Sequence, residues 1–135
     1  MDLSGANFGE LMGFETISAS AERVVGRVHI DERHHQPYGV VHGGVYCAIV
    51  EHLASHGAAE AARERGIAGV LGASNSTDFF RAHSHGPLDA VAEPVHVGRT
   101  QQVWEVRITR PTDGKLVARG QVRLAHIDHL PADRS

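Results

Sequence analysis

A glutamate at the end of an apolar segment is the residue of this chain best suited to chemistry. Glu51 follows the apolar run Val45–Val50, where a carboxylate is costly to bury unless it is used. A carboxylate in this position could serve as a nucleophile or as a general base toward water. Ser55 lies four residues further along, on the same helical face, and could hydrogen-bond the carboxylate or a water. The competing interpretation is a glutamate that reaches solvent or pairs with an arginine.

Two adjacent glycines begin the helical segment that contains Glu51. The amide hydrogens of a first helical turn have no acceptor within the helix, so Gly43 and Gly44 could donate to an oxyanion. The helix dipole favours negative charge at the same end, and glycine leaves room for a bulky ligand beside the backbone. A plain helix start beside a tight packing contact is the alternative.

The glycine pair and the carboxylate are too far apart to act on one atom from one chain. Gly43 and Glu51 are separated by eight positions on one helix, which corresponds to about 12 Å along its axis. A site that uses both residues needs Gly43 from one subunit and Glu51 from another. We therefore expect a symmetric dimer with two composite sites.

The elements that position these residues predict a single α+β domain over residues 1–135. A short helix is expected at Asn7–Met12, an irregular loop at Asp31–Val41, and a long alanine-rich helix from Gly43 to about Arg65. Apolar alternation and turn residues predict two strands before the long helix, Phe14–Ser20 and Glu22–Ile30. They predict three or four strands after it, in the segments Val70–Phe80, Leu88–Val97, Gln101–Arg110 and Lys115–Ile127. Pro94 indicates a bulge or a sheet edge. The order predicts a curved antiparallel sheet wrapped around one long central helix, with a frayed tail at 128–135.

Composition excludes several classes of partner. A net charge of -3 over 135 residues provides no basic field for nucleic acid. The single cysteine, Cys47, excludes an internal disulfide, and no apolar run approaches the roughly 20 residues of a membrane span. With no targeting signal apparent, we expect a cytoplasmic protein without membrane or nucleic-acid partners.

The abundant histidines raise the question of a metal site. His52 and His56 stand four residues apart on one helix face, but no HExxH motif, zinc-spaced cysteine or third ligand is identifiable. Neither a GxGxxG loop nor a GxSxG elbow is present. We expect no metal and no cofactor.

The stretch from Gln36 to Gly44, taken together with Glu51, resembles the signature of hotdog-fold acyl-CoA thioesterases. In the branch with the phenylacetate-pathway and 4-hydroxybenzoyl-CoA thioesterases, an Asn or Gln stands six residues before His-Gly-Gly, and an Asp or Glu follows on the helix. Gln36, His42, Gly43 and Glu51 match these positions, and the similarity extends from about residue 14 to residue 127.

The resemblance implies a role for each matched residue. Glu51 would be the nucleophile or general base, the Gly43 amide would donate to the oxyanion, and Gln36 would orient the thioester or the attacking water. His42 would be mainly structural, and Ser55 falls where Glu-bearing members often carry Ser or Thr.

The resemblance also implies contacts to the substrate. Gly44 would lie beside the acyl thioester. Ser74 or Ser76 would replace a polar group that some relatives supply near Gly72. Arg81 and His83 would be candidates for contacts to the coenzyme A phosphates.

The activity implied is hydrolysis of an acyl-CoA thioester to free acid and coenzyme A, by a homodimer or a dimer of dimers. Glu rather than Asp resembles the branch that acts on aromatic acyl groups, which are slightly favoured over fatty ones. Two alternatives stay open. One is a non-catalytic acyl-CoA-binding hotdog protein, and the other is a hotdog hydratase, although its usual His-Phe-Pro-type loop is absent and no histidine is placed on the helix as a catalytic one.

Overall fold

The computed structural model describes residues 7–131, which form one sheet and one long helix. In chain order the elements are α1 (Phe8–Met12), β1 (Glu15–Ala19), β2 (Val24–Ile30), a 3-10 turn (Glu32–His34), α2 (Gly43–Glu64), β3 (Gly69–Phe79), β4 (Gly86–Val97), β5 (Gln101–Arg110) and β6 (Lys115–Ile127). Of the predicted tail at 128–135, residues 128–131 carry no helix or strand, and 132–135 lie outside the described residues.

The six strands form one antiparallel sheet in the order β1-β2-β4-β5-β6-β3. One face of the curved sheet packs against α2, and their apolar side chains form the core. The predicted hotdog fold is thereby confirmed. Neither described helix is long and apolar enough to cross a membrane.

Small residues on α2 let the sheet approach it closely. A Cβ on Gly57 would lie 2.4 Å from the ring of Trp104, which is fully buried on β5. The Trp104 indole N–H donates to Gln102 Oε1 at 2.7 Å, and Gln102 Nε2 donates to the Ala58 carbonyl at 3.0 Å. These buried hydrogen bonds hold α2 at a fixed distance from the sheet. They therefore also fix the position of Glu51 relative to β3.

Two irregularities in the strands matter for the site. The register of β4 with β5 shifts between Pro94 and His96, which confirms the bulge predicted at Pro94. The register of β3 with β6 shifts between Gly72 and Ser74, leaving Ala73 as an extra residue. Because β3 pairs with β6 alone among the described strands, its other edge is open.

Candidate active site

The first turn of α2 carries one capped amide and one free amide. His42 is the N-cap residue, and its Nδ1 accepts from the Gly44 N–H at 2.8 Å. Over residues 7–131 the Gly43 N–H has no acceptor. Gly43 is therefore the donor available for a ligand, whereas Gly44 is held by His42, in keeping with a structural role for that histidine.

The loop before α2 holds Gln36 beside this free amide. The Gln36 N–H donates to the Val40 carbonyl at 2.9 Å, and Gly39 turns the chain with a φ of 79°. The Tyr38 N–H donates to Gln36 Oε1, which leaves Gln36 Nε2 as the group able to donate to a ligand.

Gly43 and Gln36 line one cavity, of about 360 Å³, together with Arg81. The ring of Phe79 covers Gly43 so closely that a Cβ there would lie 2.5 Å from the ring. The Arg81 side chain is exposed, although its Nη1 donates to the Leu116 carbonyl at 2.8 Å. The cavity thus has the Gly43 amide donor on its wall and the Arg81 cation at its rim.

The Glu51 carboxylate lies between α2 and the inner face of β3. A Cβ on residue 72 would lie only 2.2 Å from Glu51 Oε2, so the glycine at this position leaves space for the carboxylate. Its Oε1 accepts from Asn75 Nδ2 at 3.2 Å. Glu51 forms no salt bridge within residues 7–131, which removes the interpretation of an arginine-paired surface glutamate.

Glu51 lines a second cavity, open and of about 600 Å³, between α2 and α1. Ser55 lies on its wall, and the other lining residues are Asn7, Phe8, Gly9, Ala48, His52 and His56. Phe14 makes edge-on contacts with Phe8 and with His52, at centroid distances of 6.2 and 5.4 Å. The wall is therefore rich in flat rings.

The two histidines of this wall differ in their surroundings. Burial lowers the pKa of His52, and the nearby His56 lowers it further. His56 Nδ1 lies 3.3 Å from Thr16 Oγ1 on β1. No group of three metal-binding side chains occurs in the described part of the chain.

The residues singled out in the sequence thus fall into two separate half-sites. One consists of Gln36, Gly43 and Arg81, and the other of Glu51 and Ser55. Both flank β3, the second near Gly72 and the first near Phe79.

Three substrate contacts expected from the sequence do not fit the structure. Ser76 lies with Asp78 on the outer face of the sheet, away from α2, and Ser74 shares that face by alternation. The bulge at Ala73 is the reason, because it turns Asn75 inward. His83 is buried, with its Nε2 3.1 Å from the Gly86 carbonyl, so it faces no surface on which a phosphate could bind.

Asn75 is the site residue that sequence reasoning missed. It is the one residue whose side chain contacts the Glu51 carboxylate through a hydrogen bond in the described structure. The sequence offers only a weak signal for Asn75. Asparagine is depleted in strands, so an asparagine in the middle of a predicted strand is unusual.

Comparison with known proteins agrees with this geometry. The family described as Thioesterase superfamily matches residues 38–117. A candidate esterase of Mycobacterium tuberculosis is 51% identical over 94 residues, covering 69% of this chain; the chain spans 66% of that protein, just under two thirds. The 1,4-dihydroxy-2-naphthoyl-CoA hydrolase of Listeria monocytogenes is 36% identical over 104 residues, which cover 77% of this chain and 83% of that protein.

Solved structures show the same similarity in three dimensions. A thioesterase from Haemophilus influenzae has a TM-score of 0.85 at 26% identity, covering 98% of this chain and 90% of that one. The match to the family over residues 38–117 includes the Gly43 turn, Glu51 and the whole of β3. The chain belongs to the thioesterase superfamily.

Proposed function

We propose that the protein hydrolyses an acyl-CoA thioester to a free acid and coenzyme A. The observation that carries this proposal is the Glu51 carboxylate, which forms no salt bridge in the described part of the chain and lies on the wall of an open cavity large enough for an acyl group. Membership of the thioesterase superfamily supports the same reaction.

In this proposal each half-site acts on one side of the thioester. The carbonyl oxygen accepts from the free Gly43 N–H at the positive end of α2, and Gln36 Nε2 donates nearby. Glu51 attacks the carbonyl carbon, or takes a proton from a water that attacks it. In both routes the C–S bond breaks and its electron pair leaves with the coenzyme A thiolate. After direct attack, water hydrolyses the anhydride formed on Glu51 and so releases the free acid; after attack by water, the free acid forms at once and the proton held by Glu51 passes to the thiolate. Exposed Arg81 is suited to a coenzyme A phosphate.

The half-sites come together when two copies pair through β3. This edge strand is eleven residues long and open, with Leu71 and Phe79 about half exposed. Antiparallel pairing about a two-fold axis near Asn75 and Ser76 sets Gly72 of one copy opposite Phe79 of the other. Because Glu51 lies at Gly72 and Gly43 lies under Phe79, this pairing joins complementary half-sites.

An aromatic acyl group fits the second cavity better than a long aliphatic chain. Phe8 and His52 provide flat surfaces on its wall, and ring-on-ring contacts favour planar groups. The name of the Listeria relative, a 1,4-dihydroxy-2-naphthoyl-CoA hydrolase, points in the same direction.

Thiol release from a panel of acyl-CoAs tests the proposal. The panel includes benzoyl, hydroxybenzoyl, hydroxynaphthoyl and medium-chain fatty acyl groups, with wild type beside Glu51→Ala. We expect wild type to release thiol and Glu51→Ala to lose about 100-fold or more in kcat.

Glu64→Ala is the matched control, because Glu64 is an exposed glutamate at the end of the same helix. It should keep wild-type activity. Full activity in Glu51→Ala would contradict the mechanism. Binding of acyl-CoA by wild type without thiol release would instead indicate a non-catalytic acyl-CoA-binding protein.

A further inference from the structure

Asn75 and Thr77 form a short hydrogen-bonded chain that ends on the Glu51 carboxylate. Asn75 Nδ2 lies 3.2 Å from Glu51 Oε1 and 3.0 Å from the Cys47 carbonyl oxygen. On its other side, Asn75 Oδ1 accepts from Thr77 Oγ1 at 2.7 Å. We propose that Asn75 is a positioning residue for Glu51 and that Thr77 holds the Asn75 side chain in place from its other side, an inference that rests on the proposed function.

The three contacts of the Asn75 amide agree on one orientation. The Cys47 carbonyl oxygen can only accept, so the Asn75 atom facing it is the NH2 group. The two N–H bonds of that group serve Cys47 and Glu51, and the Thr77 hydroxyl donates to the remaining oxygen. A flipped amide would set its oxygen against the Cys47 carbonyl and the Glu51 carboxylate and lose both contacts, whereas the Thr77 hydroxyl could accept from the flipped NH2 group.

The bulge in β3 makes this arrangement possible. In a regular strand, residues three apart point to opposite faces, yet both Gly72 and Asn75 face Glu51. Ala73 is the extra residue that changes the alternation. The carboxylate is thus confined on both sides, with one oxygen held by Asn75 and the other lying over Gly72.

This confinement leaves the two carboxylate oxygens with different tasks. Oε1 accepts a hydrogen bond and is fixed, whereas Oε2 is left to attack the carbonyl or to accept a proton from water. A carboxylate that has to act over a short distance gains from a fixed rotamer. Removing the Asn75 N–H donor should therefore lower kcat more than it changes KM.

Kinetics of paired substitutions test the role. Asn75→Asp keeps the shape but sets an oxygen against Glu51, and it should lower kcat by about 10- to 100-fold at a KM close to wild type. Thr77→Val removes the hydroxyl and should lower kcat by up to about 10-fold, whereas Thr77→Ser, which keeps it, should restore the rate. Asp78→Asn, on the outer face of the same strand, is the control and should behave as wild type.

Two further measurements separate positioning from loss of structure. In a Glu51→Ala background, Asn75→Asp should cause no additional loss of rate, because the group it positions is gone. The Asn75 side-chain amide protons, observed by NMR, should shift in Glu51→Ala and in Thr77→Val but not in Asp78→Asn.

The outcomes distinguish this inference from the proposed function. A wild-type protein that releases no thiol would show that the proposed function is wrong, and the positioning role with it. An active wild type together with a fully active Asn75→Asp would overturn the positioning role alone. An equal loss of rate from Asn75→Asp with and without Glu51, or Asn75 amide resonances unaffected by Glu51→Ala, would do the same.

Discussion

Gly72 is the residue that lets the Glu51 carboxylate lie against β3. A Cβ at this position would lie 2.2 Å from Glu51 Oε2, so Gly72→Ala must push the carboxylate away. We expect kcat to fall by about 10-fold or more, since misplacement of a reacting group by about 1 Å is costly. Stability should not fall, because Gly72 has no positive φ and alanine in a strand favours folding by about 0.5–1 kcal/mol over glycine.

The measurement is kcat beside a thermal unfolding curve, with Gly69→Ala as the control. A Cβ on Gly69 would lie 2.8 Å from the flexible end of Leu130 and at ordinary contact distance from Ile127, and it would not approach Glu51, so this variant should keep wild-type activity. Wild-type kcat in Gly72→Ala would show that Glu51 acts from another position.

His52 links the stability of the protein to pH. Burial, aided by His56, holds the pKa of His52 below its ordinary value of about 6.5. As the pH falls below that value, His52 binds a proton in the unfolded chain but not in the folded chain. The unfolded state therefore binds more protons, and the free energy of unfolding declines until the lowered pKa is passed.

We expect His52→Gln to lose less stability than wild type between about pH 7.5 and about pH 5.5, because it removes this proton uptake. Urea unfolding at the two pH values measures the difference. His29→Gln, at an exposed position of β2, is the control and should follow wild type. An unchanged pH dependence in His52→Gln would show that other groups dominate.

At the scale of elements, the contact between α2 and β5 sets the geometry of the site. Gly57→Ala adds a Cβ at 2.4 Å from the buried Trp104 ring, which the hydrogen bond to Gln102 holds in place. We expect the free energy of unfolding to fall by about 1–3 kcal/mol from overpacking. This loss of stability should appear although alanine favours the helix by about 1 kcal/mol over glycine.

Chemical unfolding measures this change. Ala59→Gly, on the exposed side of α2, is the control. It measures the difference in helix propensity between alanine and glycine without any contact to Trp104, and it should lower the free energy of unfolding by about 1 kcal/mol. A Gly57→Ala protein more stable than wild type would mean that Trp104 can move aside.

The helices and strands could be predicted from the sequence because local signals mark where they begin and end. The α1 helix begins at its N-cap Asn7 and ends at Gly13, and α2 begins at Gly43 as expected. The strands β2, β5 and β6 show the alternation of one buried face. These features depend on residues close together in the chain, which is why sequence patterns reveal them.

The details of the inner wall of the site could not be predicted in the same way. The bulge at Ala73 depends on how β3 pairs with β6, a contact with no local signal such as the proline that marks β4. It turned Ser74 and Ser76 outward and Asn75 inward. His83 is buried because its segment folds onto the loop before α2, where the Val41 N–H donates to its carbonyl at 2.9 Å.

At the scale of the whole molecule, the proposed function implies that a single chain holds two incomplete sites. Among the described residues, the lining of the Gln36 and Gly43 cavity includes no carboxylate, and the lining of the Glu51 cavity includes neither Gly43 nor Gln36. The open edge of β3 runs between them. This arrangement predicts that activity depends on association of two copies, so each half-site can be inactivated separately.

Mixed dimers of two inactive variants should therefore regain activity. Gly43→Pro removes the free N–H at the first helical position, where proline is tolerated, and His42 before it is already extended with a ψ of 132°. Glu51→Ala removes the carboxylate. After random mixing about half of the dimers are hybrids with one intact site of two, so about a quarter of wild-type activity should return.

Gly43→Ala distinguishes the lost donor from crowding of Phe79, because alanine adds the same Cβ but keeps the N–H. It should retain clearly more activity than Gly43→Pro, whose loss we expect at about 100-fold or more for one oxyanion donor. Native mass spectrometry confirms that hybrids form. Hybrids without recovered activity would contradict a site shared between two copies. Because Gly43 and Glu51 stand about 12 Å apart along one continuous helix, that result would mean that one of the two groups takes no part in the reaction.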